Sequence, residues 1–216
     1  DMTDEERLRI VRGVYQNLVE SGVEMLAVAR RIHADNVWEH VTVEGMEKLR
    51  EVQRPGRGII FVTGHMGSWE SLGQLSGLGG LSLWSLARPL DNPLLDRMVN
   101  DMRERTGQRI LSNRGTMRHA LRVLREGGNL AFLIDQNARR GGIFVPFFGR
   151  PASTHTSVAR IALKTCCPIF LSYAVREGRD PAAVDESLPW VDRLEYDRRH
   201  ALESARCTGS CRPAPR

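Results

Sequence analysis

The sequence predicts an α/β protein: a mainly parallel or mixed central sheet flanked by helices, with a long N-terminal amphipathic helix and an irregular C-terminal tail. Three observations carry that prediction. Short, charge-free apolar runs recur along the chain, helical periodicities lie between them, and the alternation stops near residue 175. Alternation of this kind builds sheets whose strands are buried on both faces, so each strand reads as a continuous apolar run.

The elements follow in order. Thr3-Asp4-Glu5-Glu6 is a helix start, with carboxylates at the positive end of the macrodipole. Leu8, Val11, Tyr15, Leu18, Val19, Gly22, Met25, Leu26 and Ala29 then recur at helical spacing, so one helix runs to about Arg31. Its apolar stripe suits packing on the domain or lying on a membrane surface. Strands are predicted at 58–63, 81–87, 129–134 and 168–175, and helices at about 69–77, 93–106, 115–127 and 154–165. The domain is expected to span 1–178. Residues 179–216 carry no convincing strand and end in Cys207-Thr-Gly-Ser-Cys211-Arg-Pro-Ala-Pro-Arg216, so an irregular tail is expected there.

Composition narrows the function. With 216 residues, 41% of them hydrophobic and 26% charged, the chain is large enough for a core and is neither disordered nor a disulfide scaffold. No run of 18 apolar residues is present to span a membrane. The four cysteines form no CxxC, so zinc and thioredoxin chemistry lack their spacing. The net charge of +5 is uneven: residues 88–160 hold 13 basic against 6 acidic groups, while residues 1–87 hold 9 against 12. All but two of the 31 basic residues are arginine, whose fork suits phosphate and carboxylate. The middle of the chain therefore offers a field for an anionic partner. Nucleic acid is disfavoured, because no aromatic-basic platform or recognition helix accompanies the charge.

The strand at 58–63 runs into Gly64-His65-Met66-Gly67-Ser68-Trp69-Glu70. In α/β sheets the crevice beyond a strand's carboxyl end is the usual ligand site. Two glycines flank His65, and Glu70 follows five residues later at the start of the next helix. A carboxylate there could fold back onto one imidazole nitrogen and leave the other as a general base. A buried histidine capped by an incidental glutamate is the plainer alternative. Ser68 and Ser71 lie in no G-x-S-x-G elbow, and there is no H-E-x-x-H. Gly77-Leu-Gly-Gly80 lacks dinucleotide spacing. What remains is deprotonation of a hydroxyl that attacks an acyl thioester directly.

At this point the residues carry a resemblance. Gly64 to Glu70 is similar to the His-x4-Asp/Glu block of glycerolipid and lysophospholipid acyltransferases. More closely, it resembles the bacterial lipid A biosynthesis acyltransferases, the lauroyl and myristoyl transferases acting late in Kdo-lipid A assembly. Ala87-Arg88-Pro89-Leu90-Asp91-Asn92-Pro93, Leu133-Ile134-Asp135-Gln136-Asn137 and Val145-Pro146-Phe147-Phe148-Gly149 resemble further blocks, in order, over residues 4–178. The resemblance implies His65 as general base, Glu70 as its orienting partner, and functional roles for Arg103 and Asp135. It also implies a phosphate-holding role for Arg88, with Arg105 and Arg114 as weaker candidates. From the residues alone, Asp135 could equally cap a turn or pair with an arginine.

By the same resemblance, the donor is acyl carrier protein or coenzyme A thioester, the acceptor a phosphorylated glycolipid, and no metal or further cofactor is expected. Work at a membrane surface is implied, on the cytoplasmic face of the bacterial inner membrane. A phosphatidylinositol mannoside or lysophospholipid acceptor remains an alternative, as does an inactive lipid-binding remnant. Ile143 to Phe148, after the basic Arg139-Arg140-Gly141-Gly142 loop, suits an acyl-chain pocket, a bilayer contact or core packing. The family pattern also leads one to expect an N-terminal membrane anchor and a Trp/His/Arg-rich ending. The sequence after Gly178 departs from that pattern, and its Arg, Pro and Cys content suits out-of-frame translation of GC-rich DNA.

Overall fold

The computed structural model describes residues 2–53, 56–111, 116–139 and 141–176. The expected tail at 179–216 therefore lies outside the described residues, as does Arg114. The chain divides after Ala174 into two units, and the first holds every element below.

Helix α1, Asp4–Arg31, begins with a capping box. The Thr3 amide donates to Glu6 Oε2 at 2.6 Å, and the Glu6 amide donates to Thr3 Oγ1 at 3.2 Å. Its acidic first turn and basic Arg30-Arg31 last turn both suit the macrodipole. Only its C-terminal part packs, burying Ser21, Met25 and Val28 against the domain, while Leu8, Val11, Tyr15, Leu18 and Val19 are exposed. The short α2, Val37–His40, and α3, Met46–Val52, lead to β1, Ile60–Thr63. Then come α4, Trp69–Leu78; β2, Leu83–Leu86; α5, Pro93–Arg105; β3, Arg109–Leu111; α6, Thr116–Arg125; and β4, Asn129–Leu133. A hairpin of β5, Ile143–Phe147, and β6, Arg150–Thr154, precedes α7, Ser157–Thr165, and β7, Ile169–Leu171.

Five strands form one sheet in the order β3-β2-β4-β1-β7, with every neighbouring pair parallel. The sheet is thus parallel throughout, the simpler of the two arrangements anticipated. β1 and β4 align Ile60 with Leu130 and Thr63 with Leu133. Asn129, buried at the start of β4, ties both neighbours. Its Oδ1 accepts from the Ile59 amide at 3.0 Å, and its Nδ2 donates to the Ser82 carbonyl at 3.2 Å. The core lies where Ile60, Val62, Leu130 and Phe132 of the sheet meet Leu121 and Leu124 of α6 and Val158 and Ile161 of α7. Cutting such a buried leucine to alanine costs about 2–5 kcal/mol.

Four predicted strands and five predicted helices are present, each within a few residues of its expected bounds. β3 and the hairpin were not anticipated as strands. Pro146 faces Pro151 across the hairpin, and prolines at paired positions hide a strand from pattern reading. Its two-residue turn, Phe148-Gly149, has positive φ at both positions, 48° and 73°. That is the primed turn that hairpins favour, but for phenylalanine it costs on the order of 1–3 kcal/mol.

Candidate active site

Because the sheet is parallel, the carboxyl ends of its strands share one edge. β1 leaves that edge into Gly64-His65, β2 into Ala87-Arg88, and β4 into Ile134-Asp135. The β1–β4 register does more. His65 lies two residues past Thr63 and Asp135 two past its partner Leu133, so the pairing delivers the two residues opposite each other. The imidazole Nδ1 lies 2.8 Å from Asp135 Oδ1, and the His65 amide donates to Oδ2 at 2.6 Å. Both carboxylate oxygens are therefore used, one on the ring and one on the backbone. A side chain at Gly64 would stand 3.0 Å from Asp135 Oδ2, so glycine there gives the carboxylate room.

Burial works to raise the Asp135 pKa and is the largest single influence. The His65 ring hydrogen bond, the His65 amide and the imidazolium charge together outweigh it and leave the carboxyl below its ordinary range. An ionised Asp135 holds the proton on Nδ1 and leaves Nε2 as the basic nitrogen. The Trp69 ring stands beside the imidazole, with centroids 5.5 Å apart.

Glu70 takes a different partner from the expected one. Its Oε1 accepts from Arg103 Nη2 at 2.6 Å and its Oε2 from Arg103 Nε at 3.1 Å, a bidentate pair across α4 and α5. Arg103 Nη1 also donates to Asn100 Oδ1 at 3.3 Å. In this structure, then, the carboxylate on the histidine is Asp135, and Glu70 neutralises Arg103. Position in the chain suggested a local His65–Glu70 contact, whereas sheet register supplies a closer carboxylate from 70 residues away. Arg88 is not drawn into this cluster. It faces solvent, with Nη2 4.0 Å from Asp91 Oδ1. Arg105 is exposed at the end of α5.

The turn carrying His65 is held from two sides, by residues the sequence did not single out. Ser21 of α1 donates to the Gly67 carbonyl at 3.3 Å, and the Ser68 hydroxyl donates to Glu24 of the same helix. From the other side, the Ala174 carbonyl accepts from the Ser68 amide at 3.2 Å. Gly67 has φ +56°, and a Cβ there would fall 2.0 Å from that carbonyl, so the clamp requires glycine. Nothing local in α1 marks Ser21 and Glu24, because they meet residues more than 40 positions away. Among the described residues no three His, Cys, Asp or Glu side chains come together as a metal site, and no helix is long and apolar enough to cross a membrane.

The family model described as bacterial lipid A biosynthesis acyltransferase matches residues 1–181. The chain belongs to this family. It is 30% identical over 172 residues to a lipid A biosynthesis acyltransferase of Haemophilus influenzae, covering 76% of this chain and 52% of that protein. It is likewise 30% identical over 173 residues to the lipid A biosynthesis lauroyltransferase of Escherichia coli K12, covering 75% and 53%. The E. coli myristoyltransferase is 23% identical over 202 residues, covering 91% and 61%. The chain thus spans between about half and three-fifths of the length of these family members.

Proposed function

We propose that this chain carries the acyl-transfer site of a lipid A biosynthesis acyltransferase. It would move a fatty acyl group from a thioester of acyl carrier protein or coenzyme A to a hydroxyl of a phosphorylated glycolipid. The single observation that carries this reading is the His65–Asp135 pair at the carboxyl edge of a parallel sheet, in a chain of this family.

In the proposed reaction, His65 Nε2 takes the proton of the acceptor hydroxyl as its oxygen attacks the thioester carbonyl carbon. The new C–O bond forms, the tetrahedral intermediate collapses, and the C–S bond breaks. The imidazolium then returns its proton to the departing thiolate, so no covalent enzyme intermediate is formed. Asp135 fixes the tautomer and stabilises the imidazolium while it exists. Arg103, held in place by Glu70, offers positive charge close to the same helix start, and Arg88 on the neighbouring loop suits a phosphate. The site would work at the cytoplasmic face of the bacterial inner membrane, where both an acyl thioester and a lipid acceptor can reach it.

The test is transfer of radiolabelled acyl groups from acyl carrier protein to a lipid A precursor, with His65→Ala as control. Removing a general base costs about 10²–10⁴ in rate. The variant should fold, with unchanged thermal unfolding, and lose transfer. Near-full activity in it would overturn the mechanism, and transfer to a lysophospholipid instead would reassign the acceptor.

A further inference from the structure

Residues Gly64 to Ser68 carry the chain from β1 to α4, and His65 and Met66 among them are exposed. The near end of this turn is held by Asp135, through the His65 amide and ring. The far end is held by α1. Ser21 and Glu24 stand three residues apart on one face of that helix. Ser21 donates to the Gly67 carbonyl, and Glu24 accepts from the Ser68 hydroxyl. Ser21 is 1% and Ser68 6% exposed, so these bonds lie where hydrogen bonds count for more than in water. Ser68 is the N-cap residue of α4, where a serine side chain ordinarily accepts from the first amides of its own helix. It makes no such bond and turns its hydroxyl to Glu24 instead.

The anchors divide the work. A carboxylate on Nδ1 sets how the imidazole is turned. The bonds at Gly67 and Ser68 set where the turn as a whole stands over the strand edge. Trp69 follows Ser68 directly, and its ring centroid lies 5.5 Å from that of the imidazole, so a shift at Ser68 is felt at the His65 ring from both sides. The Ala174 carbonyl, accepting from the Ser68 amide at 3.2 Å, holds the backbone of the same residue. The buried residues of α1 are Ser21, Met25 and Val28. The stretch of α1 that packs on the domain is therefore the stretch that reaches the turn.

We infer that Glu24 is a positioning residue for the transfer reaction: acting through Ser68, with Ser21 beside it, it sets where the His65 imidazole stands above the carboxyl edge of the sheet. The inference rests on the acyl-transfer reading, which makes His65 the base. Displacing a reacting group by about 1 Å costs about 10²-fold in rate, so a residue one helix away weighs on kcat through this turn. The placement of the ring can also be read without turnover.

Two readouts are taken on the full chain. Ring nitrogen resonances of isotopically labelled histidines report the tautomer and setting of each imidazole, and the His65 signals are those lost in His65→Ala. Transfer from acyl carrier protein to a lipid A precursor gives kcat and KM. Glu24→Ala should move the His65 resonances towards those of an unheld imidazole and lower kcat about tenfold or more, with KM within about twofold. Ser68→Ala should do the same, and it decides where Glu24→Ala fails to fold. The double variant should lose no more than either alone, because both changes remove one contact. Glu24→Gln keeps an oxygen that can accept from Ser68 and should restore both readouts. Thermal unfolding of each variant shows that the fold is kept. His65 resonances unchanged in folded Glu24→Ala would overturn the inference, and so would an intact kcat. If the unaltered chain transfers no acyl group, the acyl-transfer reading fails, while the His65 resonances still decide whether Glu24 holds the ring.

Discussion

A hydrogen-bonded His–Asp pair and an Arg–Glu ion pair flank the same turn, and they differ in what surrounds them. His65–Asp135 joins two strand ends and leaves 38% and 41% of its side chains in solvent. Glu70–Arg103 joins two helices and leaves only 21% and 16%. The first sets an imidazole against a carboxylate at the strand edge where the proposed reaction would take place. The second holds a permanent cation by both nitrogens of a fork, where little water reaches it. The difference teaches that charge complementarity at a site divides into a part that must change during reaction and a part that must not. Breaking the first should be read in rate, and breaking the second in stability.

The largest effect should come from His65→Ala, which removes the proposed base and with it about 10²–10⁴ in rate. Asp135→Asn should come next. It keeps size but frees the tautomer, and it should lose part of the general-base factor of about 10²–10⁴. Unfolding temperature should move little in either variant, and a rate unchanged by Asp135→Asn would mean that the pair is not the working one. Glu70→Gln should invert this pattern by stranding Arg103. Breaking a fully buried pair costs about 3–5 kcal/mol, so about 1–3 kcal/mol is expected at this partial exposure. Arg103→Lys, which loses the fork, should not restore it in denaturant unfolding.

Acid should separate the pairs more gently. The Asp135 carboxyl titrates below its ordinary range in the fold, so its contribution to stability is present above the unfolded carboxyl pKa. That contribution is lost as pH falls through the depressed folded value. Chemical denaturation from neutral pH into the acid range should show this loss, and Asp135→Asn should flatten that part of the curve. The smallest effect is a gain: Phe148→Gly should stabilise the chain by about 1 kcal/mol by relieving the positive-φ turn.

Much of this was legible in the sequence, and what was not has a physical reason. β1, β2 and β4 show as apolar runs because they lie inside the sheet, β7 shows as one although Ile169 and Leu171 at the sheet edge are exposed, and α1 shows through its cap and period. β3 is only Arg109-Ile-Leu111, too short for a period, and the hairpin is masked by Pro146 and Pro151. His65, Glu70, Arg103 and Asp135 could each be named from their motifs. Who touches whom could not, because Glu70 is five residues from His65 while Asp135 arrives through a strand pairing that no local pattern encodes. Ser21 and Glu24 are hidden for the same reason.

The β1–β4 alignment bears on which length changes this protein can tolerate. Added or lost residues in the connection between β2 and α5 leave Thr63 opposite Leu133. A single-residue deletion inside β4 does not. Strand side chains alternate from face to face, so a one-step slip exchanges the two packed faces of β4 and moves Asp135 off His65 together. Fold and chemistry would then fail in the same event. Length variation among related chains is therefore expected in the loops and to be absent from the five residues of β4, which a sequence survey can check.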